Sequence, residues 1–458
     1  MRPMSSRTVT LTGWGRIAPS AAELAEPAGE AEAAALLREA AGGPGGGAIP
    51  RGLGRSYNNA AQCAQGLVLS TSRLNRILSL DEATGVAVCE AGVSLERLMV
   101  AGLPHGWFVP VSPGTRQVTI GGAIAADVHG KNHHVAGSFA GHVRSFDLLL
   151  PGGDLRTVTP ADELFWITAG GMGLTGFIVR ATVQLKRVGS SRVKVDTVRT
   201  ADIDETMAVL AEHDRRYGYT VAWSDSLARG RGLGRSIITS GDFAEPADLT
   251  GKAGKESDDP FAFDPRARLG APPAFPPGLI NRYTVRFANE VWYRKAPRLR
   301  EAELQTIGQF FHPLDGIRNW NRVYGPGGFR QYQYVVPFGA EDAVRRSFEL
   351  VSGHPAPSFV TVLKRFGAAD PGLLSFPAPG WTLALDFPAR TPGLGPMLDE
   401  LDRLVVRHGG RVYLAKDSRV PAAVLEDMYP RLPEFRKRRA ELDPAGVLAS
   451  DLSRRLSI

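Results

Sequence analysis

The chain has 458 residues, 43% of them hydrophobic and 22% charged, which leaves room for two or three domains with a sizeable core and excludes a disordered or fibrous protein. A formal charge of +7 and a pI near 9.5 favour anionic partners, but the basic residues are spread along the chain and often lie near Asp or Glu, as on a solvated surface. Cys63 and Cys89 form no C-x-x-C pattern, so neither a zinc site nor a disulfide framework is expected, and both read as core residues.

In chain order, "EAEAAALLREAAGG" predicts a helix closed by glycine, and the short strand "AIP" after it feeds the loop "RGLGRSYNNA". "GLVLS" predicts a strand, "RILSLDEATGVAVCEAG" two strands about a turn, and "SLERLMVAG" a helix with Leu95, Leu98 and Met99 on one face. A second hairpin, "VRSFDLLLPGGDLRTVTP", turns at Pro151 to Asp154; the short helix "ADELFWIT" then leads through "AGGMGLTG" into the strand "FIVRATVQL". "DIDETMAVLAEHDRRYG" is amphipathic, and the composition shifts after "YTVAWSDSL". From about 228 to 280 Gly, Pro and charge predominate with little periodicity, and a mobile insertion or lid is expected there. "FRQYQYVVP", "SFVTVLKRFG" and "WTLALDFP" alternate like strands of one antiparallel sheet, with helices such as "MLDELDRLVVRHGG" between them.

The expected fold class is therefore α+β with two domains. The first spans 1–193 and is completed by 411–458, which carries the basic helix "FRKRRAEL"; the second spans 194–410 and is built on the antiparallel sheet. No stretch approaches the roughly 18 uninterrupted apolar residues of a membrane span, and "MRPMSSRTVTLTGWGR" lacks the apolar run of a signal peptide, so a soluble or peripherally attached protein is expected.

Three glycine-rich turns carry the chemistry. In "RGLGRSYNNA" the spacing follows G-x-G-x-x-G except that Tyr57 holds the third glycine position, and no helical pattern follows for that glycine to pack. The loop offers backbone N–H groups, Arg55 and the Ser56 hydroxyl, the donors a pyrophosphate needs, although an ordinary glycine turn has the same pattern. "PGTRQVTIGGAIAADVHGKNHH" brings Gly121, Gly122 and small residues to Ala126, against which a long flat ligand can lie; "GGMGLTG" at 170–176 opens a strand. His129, His133 and His134 lack a supporting carboxylate or cysteine, and adjacent histidines diverge on a strand, so no metal site is expected. Alternation along "FRQYQYVVP" places Gln331 and Gln333 on one face and Tyr332 and Tyr334 on the other.

Three such turns in one α+β unit, with neither a Walker lysine nor the Rossmann order of elements, resemble the FAD-binding domain of the vanillyl-alcohol oxidase and p-cresol methylhydroxylase superfamily. Within it, "RGLGRSY", "GSFAGHVRS", "WYRK", "FHPLD", "YGPGGFRQYQYVVP", "SFPAPGW", "YLAKDSR" and "ASDLSRRL" resemble the decaprenylphosphoryl-β-D-ribose 2′-oxidase family, with similarity running from "LTGWGR" to the C-terminus. These are flavin subunits of the arabinose-forming epimerase of actinobacterial cell walls. The resemblance implies that FAD is held by Arg51, Gly52, Leu53, Gly54, Arg55, Ser56, Tyr57, Asn58 and Asn59 around the pyrophosphate. Gly114, Thr119, Ile120, Gly121, Gly122, Ala126, Asp127, Val128, His129, Ile178 and Tyr413 would line the rest of the cofactor. Many superfamily members tether the flavin through a histidine where Tyr57 stands; a phenol cannot form that bond, so non-covalent FAD is implied.

The reaction implied is oxidation of a ribose 2′-hydroxyl on a polyprenyl-phosphate sugar, followed by reduction by a partner NAD-dependent ketoreductase. Lys416 matches the family's essential lysine, a cation beside the flavin that can also orient the sugar. His129 is a second catalytic candidate or a structural histidine. Gln331, Gln333, Lys364, Trp223 and Lys416 are implied substrate contacts, with Lys364 toward the phosphate and Trp223 closing an apolar wall. The resemblance also implies a place in the cell envelope with peripheral contact to the plasma membrane. Four positions depart from the family pattern: Ala384 stands for cysteine, Thr382 and Met172 for asparagine, and Phe311 for an aromatic hydroxyl, which leaves the pocket's fine shape open. A related carbohydrate oxidase acting on another sugar is the alternative, although the His-Trp-x-Lys signature of aldonolactone oxidases is missing. A nucleic-acid binder is not expected, since no basic recognition helix or interleaving of aromatic and basic residues is found.

Overall fold

Glycine turns cut the first part of the chain into short strands that pair across distant sequence. In the computed structural model, which describes residues 6–42, 47–249, 259–267, 269–272, 276 and 278–458, the strands Ser6–Leu11, Ser20–Ala25, Leu67–Ser70 and Ala48–Arg51 form a sheet in that order. Leu67–Ser70 is buried along its whole length and runs parallel to both neighbours, as expected of a strand covered on two faces. The predicted helix forms as Glu30–Gly42 and covers this sheet, with Ala33, Leu36 and Leu37 against Ala48, Leu67 and Leu69. The C-terminal stretch returns here: Leu448 bridges Ala48, and the Asp451 carboxylate accepts the Ala64 N–H at 2.7 Å.

Both predicted hairpins form and join the strand Phe177–Gln184 in one antiparallel sheet, ordered Ile77–Leu80, Val86–Glu90, Phe177–Gln184, Val143–Leu149 and Leu155–Val158. A third sheet of eight strands carries the second half of the chain. Its order is Leu299–Thr306, Arg192–Thr200, Ser236–Phe243, Tyr219–Ser224, Thr361–Phe366, Gly380–Pro388, Phe329–Pro337 and Arg411–Val412. The architecture is thus α+β.

Strand alternation sorts this large sheet into two faces. One face packs Tyr332, Tyr334, Leu363, Leu383 and Leu385 against amphipathic helices that include Glu341–Gly353 and Leu394–Arg407. The buried phenols are satisfied there: Tyr334 donates to Ser347 at 2.8 Å and Tyr332 to Asp402 at 2.9 Å. The other face carries rows of paired residues that run across the strands. Ile237, Trp223, Val362, Ala384 and Gln333 form one row, and Thr239, Val221, Lys364 and Thr382 the next.

Two expectations are corrected. The segment 228–280 is not one irregular insertion: Ser236–Phe243 is a strand inside the large sheet, because its apolar "SIIT" pairs on both sides. Residues 250–258, 268, 273–275 and 277 of that segment lie outside the described residues. His133 and His134 sit on a one-turn helix, His133–Ala136, rather than a strand. His133 Nδ1 accepts the Gly367 N–H at 3.1 Å and His134 Nε2 bonds the Tyr217 carbonyl at 2.9 Å, so both serve local structure. Among the described residues no group of His, Cys, Asp or Glu is arranged to hold a metal.

Candidate functional site

The glycine turns and the polar face of the large sheet meet across a cavity of about 1110 Å³. That exceeds the roughly 300–1,000 Å³ of ordinary small-molecule pockets, which suits a dinucleotide with a second molecule beside it. On the first wall lie Gly52, Leu53, Gly54, Arg55, Ser56 and Tyr57. Among the described residues, the backbone N–H groups of residues 52–56 donate to no protein acceptor, and Arg55 Nε and Thr71 Oγ1 are buried without a partner on the same wall. A buried side-chain donor left without a partner, as Arg55 Nε and Thr71 Oγ1 are, costs about 1–3 kcal/mol, and with the backbone N–H groups beside them these donors fit the wall to an anionic ligand.

The second turn forms a short helix, Ile120–Ala125, capped by Thr119, whose hydroxyl accepts the Gly122 N–H at 3.1 Å. The glycines are required by close approach. A Cβ at Gly121 would lie 3.0 Å from the Ala91 methyl, and one at Gly52 would lie 2.2 Å from Thr119 Oγ1. Gly114, Gly122, Ala126, Val128, His129, Ile178 and Tyr413 complete the lining, and these residues fit a flat, phosphate-bearing cofactor. Arg51, Asn58, Asn59, Ile120 and Asp127, expected to touch the cofactor, stand behind the wall instead. Arg51 Nη1 donates to the Ala61 carbonyl at 2.9 Å, Asn58 Nδ2 to the Leu414 carbonyl at 2.6 Å, and the Asn59 carbonyl accepts the Gln62 N–H. Ile120 is core, and Asp127 accepts the Ser375 hydroxyl, its carboxyl pushed up in pKa by burial. These side chains aim the loops.

The third wall belongs to the large sheet and to the turn after Arg411–Val412. Tyr413 ties them to the glycine turns: its N–H donates to the Gln333 carbonyl at 2.9 Å and its hydroxyl to the Ala126 carbonyl at 2.7 Å. Lys416 follows on a turn whose Ala415 carbonyl accepts the Tyr57 N–H at 2.9 Å, and its Nζ sits 4.1 Å from the Tyr57 ring centre. Asp417 does not pair with it but with Arg455, at 2.6 Å. Burial pulls Lys416 down to about 8, with Asp386 acting the other way, and burial pushes Asp386 up to about 7. Asp386 accepts the amide of Gln331, its cross-strand partner.

His129 is buried, and burial holds its pKa well below the usual value, helped by Lys364 and the neighbouring cations. Its ring is neutral, so only one nitrogen carries a proton. Lys364 Nζ lies 3.3 Å from Nδ1 and from the Gly130 carbonyl, while the Gln333 amide lies 3.1 Å from Nε2. With one ring proton to share, His129 bonds Lys364 through Nδ1 and the Gln333 amide through Nε2. Both nitrogens are then engaged, and His129 orients Lys364 and Gln333. Burial also brings Lys364 and Lys131 down to about 7 each; Lys131 donates to the Phe310 carbonyl and lines the same cavity.

Gln331, Gln333, Lys364, Trp223, His129 and Lys416 are therefore gathered in one cavity. Sequence reasoning assigned no role to Lys131 or Asp386. The signal for Asp386 was present, since it follows Thr382 and Ala384 at a period of two on the strand Gly380–Pro388. The departures from the family pattern gather around the same cavity. Ala384, Phe311 and Met172 line the cavity, and Thr382 Oγ1 lies 3.1 Å from the Gln333 amide nitrogen. Met172 has φ 55°, a left-handed conformation that asparagine adopts with less strain.

Comparison with known proteins agrees with this construction. Residues 21–159 match the FAD binding domain family, and residues 386–456 match the D-arabinono-1,4-lactone oxidase family. The chain is 45% identical to decaprenylphosphoryl-β-D-ribose oxidase of Mycolicibacterium smegmatis over 98% of both chains. It is 42% identical to an uncharacterised Streptomyces coelicolor protein over 80% of this chain and all of that one. It is also 25% identical to alditol oxidase of a Streptomyces species over 98% of this chain and 99% of that enzyme. The site is that of an FAD-binding oxidoreductase with the two-part fold of the vanillyl-alcohol oxidase type.

Proposed function

Since the chain belongs to the decaprenylphosphoryl-β-D-ribose oxidase family of FAD-dependent oxidoreductases, we propose that it oxidises the 2′-hydroxyl of a polyprenylphosphoryl ribose to the ketone. The observation that carries this reading is the set of Gln331, Gln333 and Lys364 on one face of a single sheet, opposite the glycine turns and in one cavity with Lys416. FAD, when bound, supplies the acceptor for the hydride leaving C2′. The two amides hold sugar hydroxyls in register, and Lys364 with Lys131 offers two cations to the phosphodiester. Lys416 presents a positive charge at the wall where negative charge builds up during the reaction.

Anaerobic mixing tests the substrate. Polyprenylphosphoryl ribose is expected to bleach the flavin absorbance, while free pentoses and alditols leave it unchanged. Bleaching by a soluble sugar alone would remove the lipid substrate and favour the carbohydrate-oxidase alternative, to which the match at 386–456 points. The second prediction concerns attachment. Tyr57 occupies the tethering position of the loop, and its phenol is held protonated by burial, with Asp386 adding to the effect. Acid precipitation is therefore expected to release all flavin into the supernatant, and flavin retained in the pellet contradicts the assignment.

Two wider elements belong to the same proposal. The 2′-ketone requires a partner NAD-dependent ketoreductase to complete epimerisation, and a polyprenyl substrate draws the protein to the membrane face of the cell envelope. No helix among the described residues is long and apolar enough to cross a membrane, so peripheral contact is the form this takes.

A further inference from the structure

The helix Arg282–Lys295 presents an unusual outer face. Its inner side is anchored: Val285 and Asn289 are buried, Asn289 donates to Asp225 at 2.7 Å, and a capping box at Asn281 fixes its start. Its outer side exposes Tyr283 at 86%, Phe287 at 74% and Val291 at 49%, spaced four apart and therefore on one stripe. Leu279 before the helix and Leu299 after it are exposed as well. A run of large apolar side chains on one helix face of a folded protein marks a binding surface.

Two observations say what covers it. The helix borders the cavity mouth, since Ala288, Asn289 and Trp292 line the cavity while Trp292 also faces solvent, at 56% exposure. The apolar stripe is also framed by cations. Arg286, Arg294 and Lys295 flank it, while Arg282 turns inward to the Ser352 and His354 carbonyls; Glu290, the one acid on this helix, is already paired with Arg235 and Arg294. Apolar side chains between cations, on a helix at the edge of a cavity, match a surface that offers hydrocarbon beneath anionic headgroups.

We propose that the outer face of Arg282–Lys295 docks on an anionic lipid bilayer and sets the cavity mouth against it. The docking rests on this face alone; only the identity of what passes from bilayer to cavity rests on the polyprenyl-phosphate proposal above. Tyr283, Phe287 and Val291 enter the headgroup boundary, and Arg286, Arg294 and Lys295 meet lipid phosphates.

The test floats the FAD-loaded full chain with vesicles of phosphatidylglycerol and phosphatidylcholine, or of phosphatidylcholine alone. The parent protein is expected to float with the anionic vesicles and to be released by high salt. The Tyr283→Glu/Phe287→Glu variant is expected to bind them at least about tenfold more weakly, while keeping its flavin and its turnover of a short-chain, water-soluble prenylphosphoryl ribose. Phe287→Ser, a milder change read beside it, is expected to fall between the two. A parent protein that ignores anionic vesicles, or a charge-bearing variant that floats as well as the parent, overturns the proposal. Self-association through this face without vesicle binding overturns it in favour of a protein partner. The two proposals fail separately: a protein captured by vesicles yet inactive on every prenylphosphoryl sugar loses the substrate and keeps the docking face.

Discussion

Replacing Lys416 with alanine is expected to lower turnover by on the order of 10²–10³-fold while FAD stays bound, the usual scale for removing one preorganised charge from an active site. The geometry separates the two effects. The unpaired backbone donors and the glycine cradle lie on 52–56 and 119–122, whereas Lys416 reaches the cavity from a turn held by backbone bonds to Tyr413 and Tyr57. Removing its ammonium leaves those bonds in place. Rapid-reaction flavin reduction, with bound FAD quantified by absorbance, checks the prediction; unchanged reduction would strip Lys416 of its role, and lost flavin would move that role to cofactor binding.

The pH dependence follows from the same residue, with its sign fixed by which form is needed. Lys416 loses its proton near 8, so a cationic role predicts a reduction rate that falls as pH rises through that value. Asp386, titrating near 7, is anionic there and holds the charge on Lys416. Lys364 titrates near 7 and contributes its own limb, but Lys416→Arg distinguishes them: an arginine keeps its charge, so the limb near 8 disappears and the lower one stays.

The order of elements was legible in the sequence wherever local chemistry decides it. Gly and Pro turns marked both hairpins, and alternation in "FRQYQYVVP" separated Gln331 and Gln333 from the two tyrosines before any contact was known. The site was legible as a set of loops, because glycines at close approach leave a mark in sequence. It was less legible where role depends on packing from far away. Arg51, Asn58 and Asp127 carry polar groups in the right loops, yet their partners Thr12, Leu414 and Ser375 lie tens or hundreds of residues away and turn them from the cavity. Ser236–Phe243 was hidden for a related reason: its glycine-rich surroundings dilute the periodicity, and only pairing with Arg192–Thr200 and Tyr219–Ser224 reveals a core strand. Lys131 and Asp386 gained meaning only from burial, which no local pattern reports.

The cradle itself yields the other large effect: Gly52→Ala is expected to cost most of the FAD affinity. The added methyl would sit 2.2 Å from Thr119 Oγ1 and 3.1 Å from Thr119 Cγ2, well inside contact distance. Thr119 cannot swing away freely, because its hydroxyl caps the helix Ile120–Ala125 through the Gly122 N–H at 3.1 Å. Without cofactor the loop 51–59 can relax outward, but a bound FAD requires both walls in place, so the strain appears as lost affinity. Overpacking of this kind costs about 1–3 kcal/mol, which corresponds to roughly 5- to 150-fold in the dissociation constant. Thr119→Ala alone removes the cap, at about 1 kcal/mol, and also the atoms that the new methyl meets. The double variant Gly52→Ala/Thr119→Ala is therefore expected to bind FAD more tightly than Gly52→Ala, a coupling that independent sites would not give. Titration of apo-protein with FAD, followed by quenching of flavin fluorescence, reads all four corners of the cycle. Additive losses would mean that the added methyl acts through the conformation of the loop or against the cofactor itself, and not through its contact with Thr119.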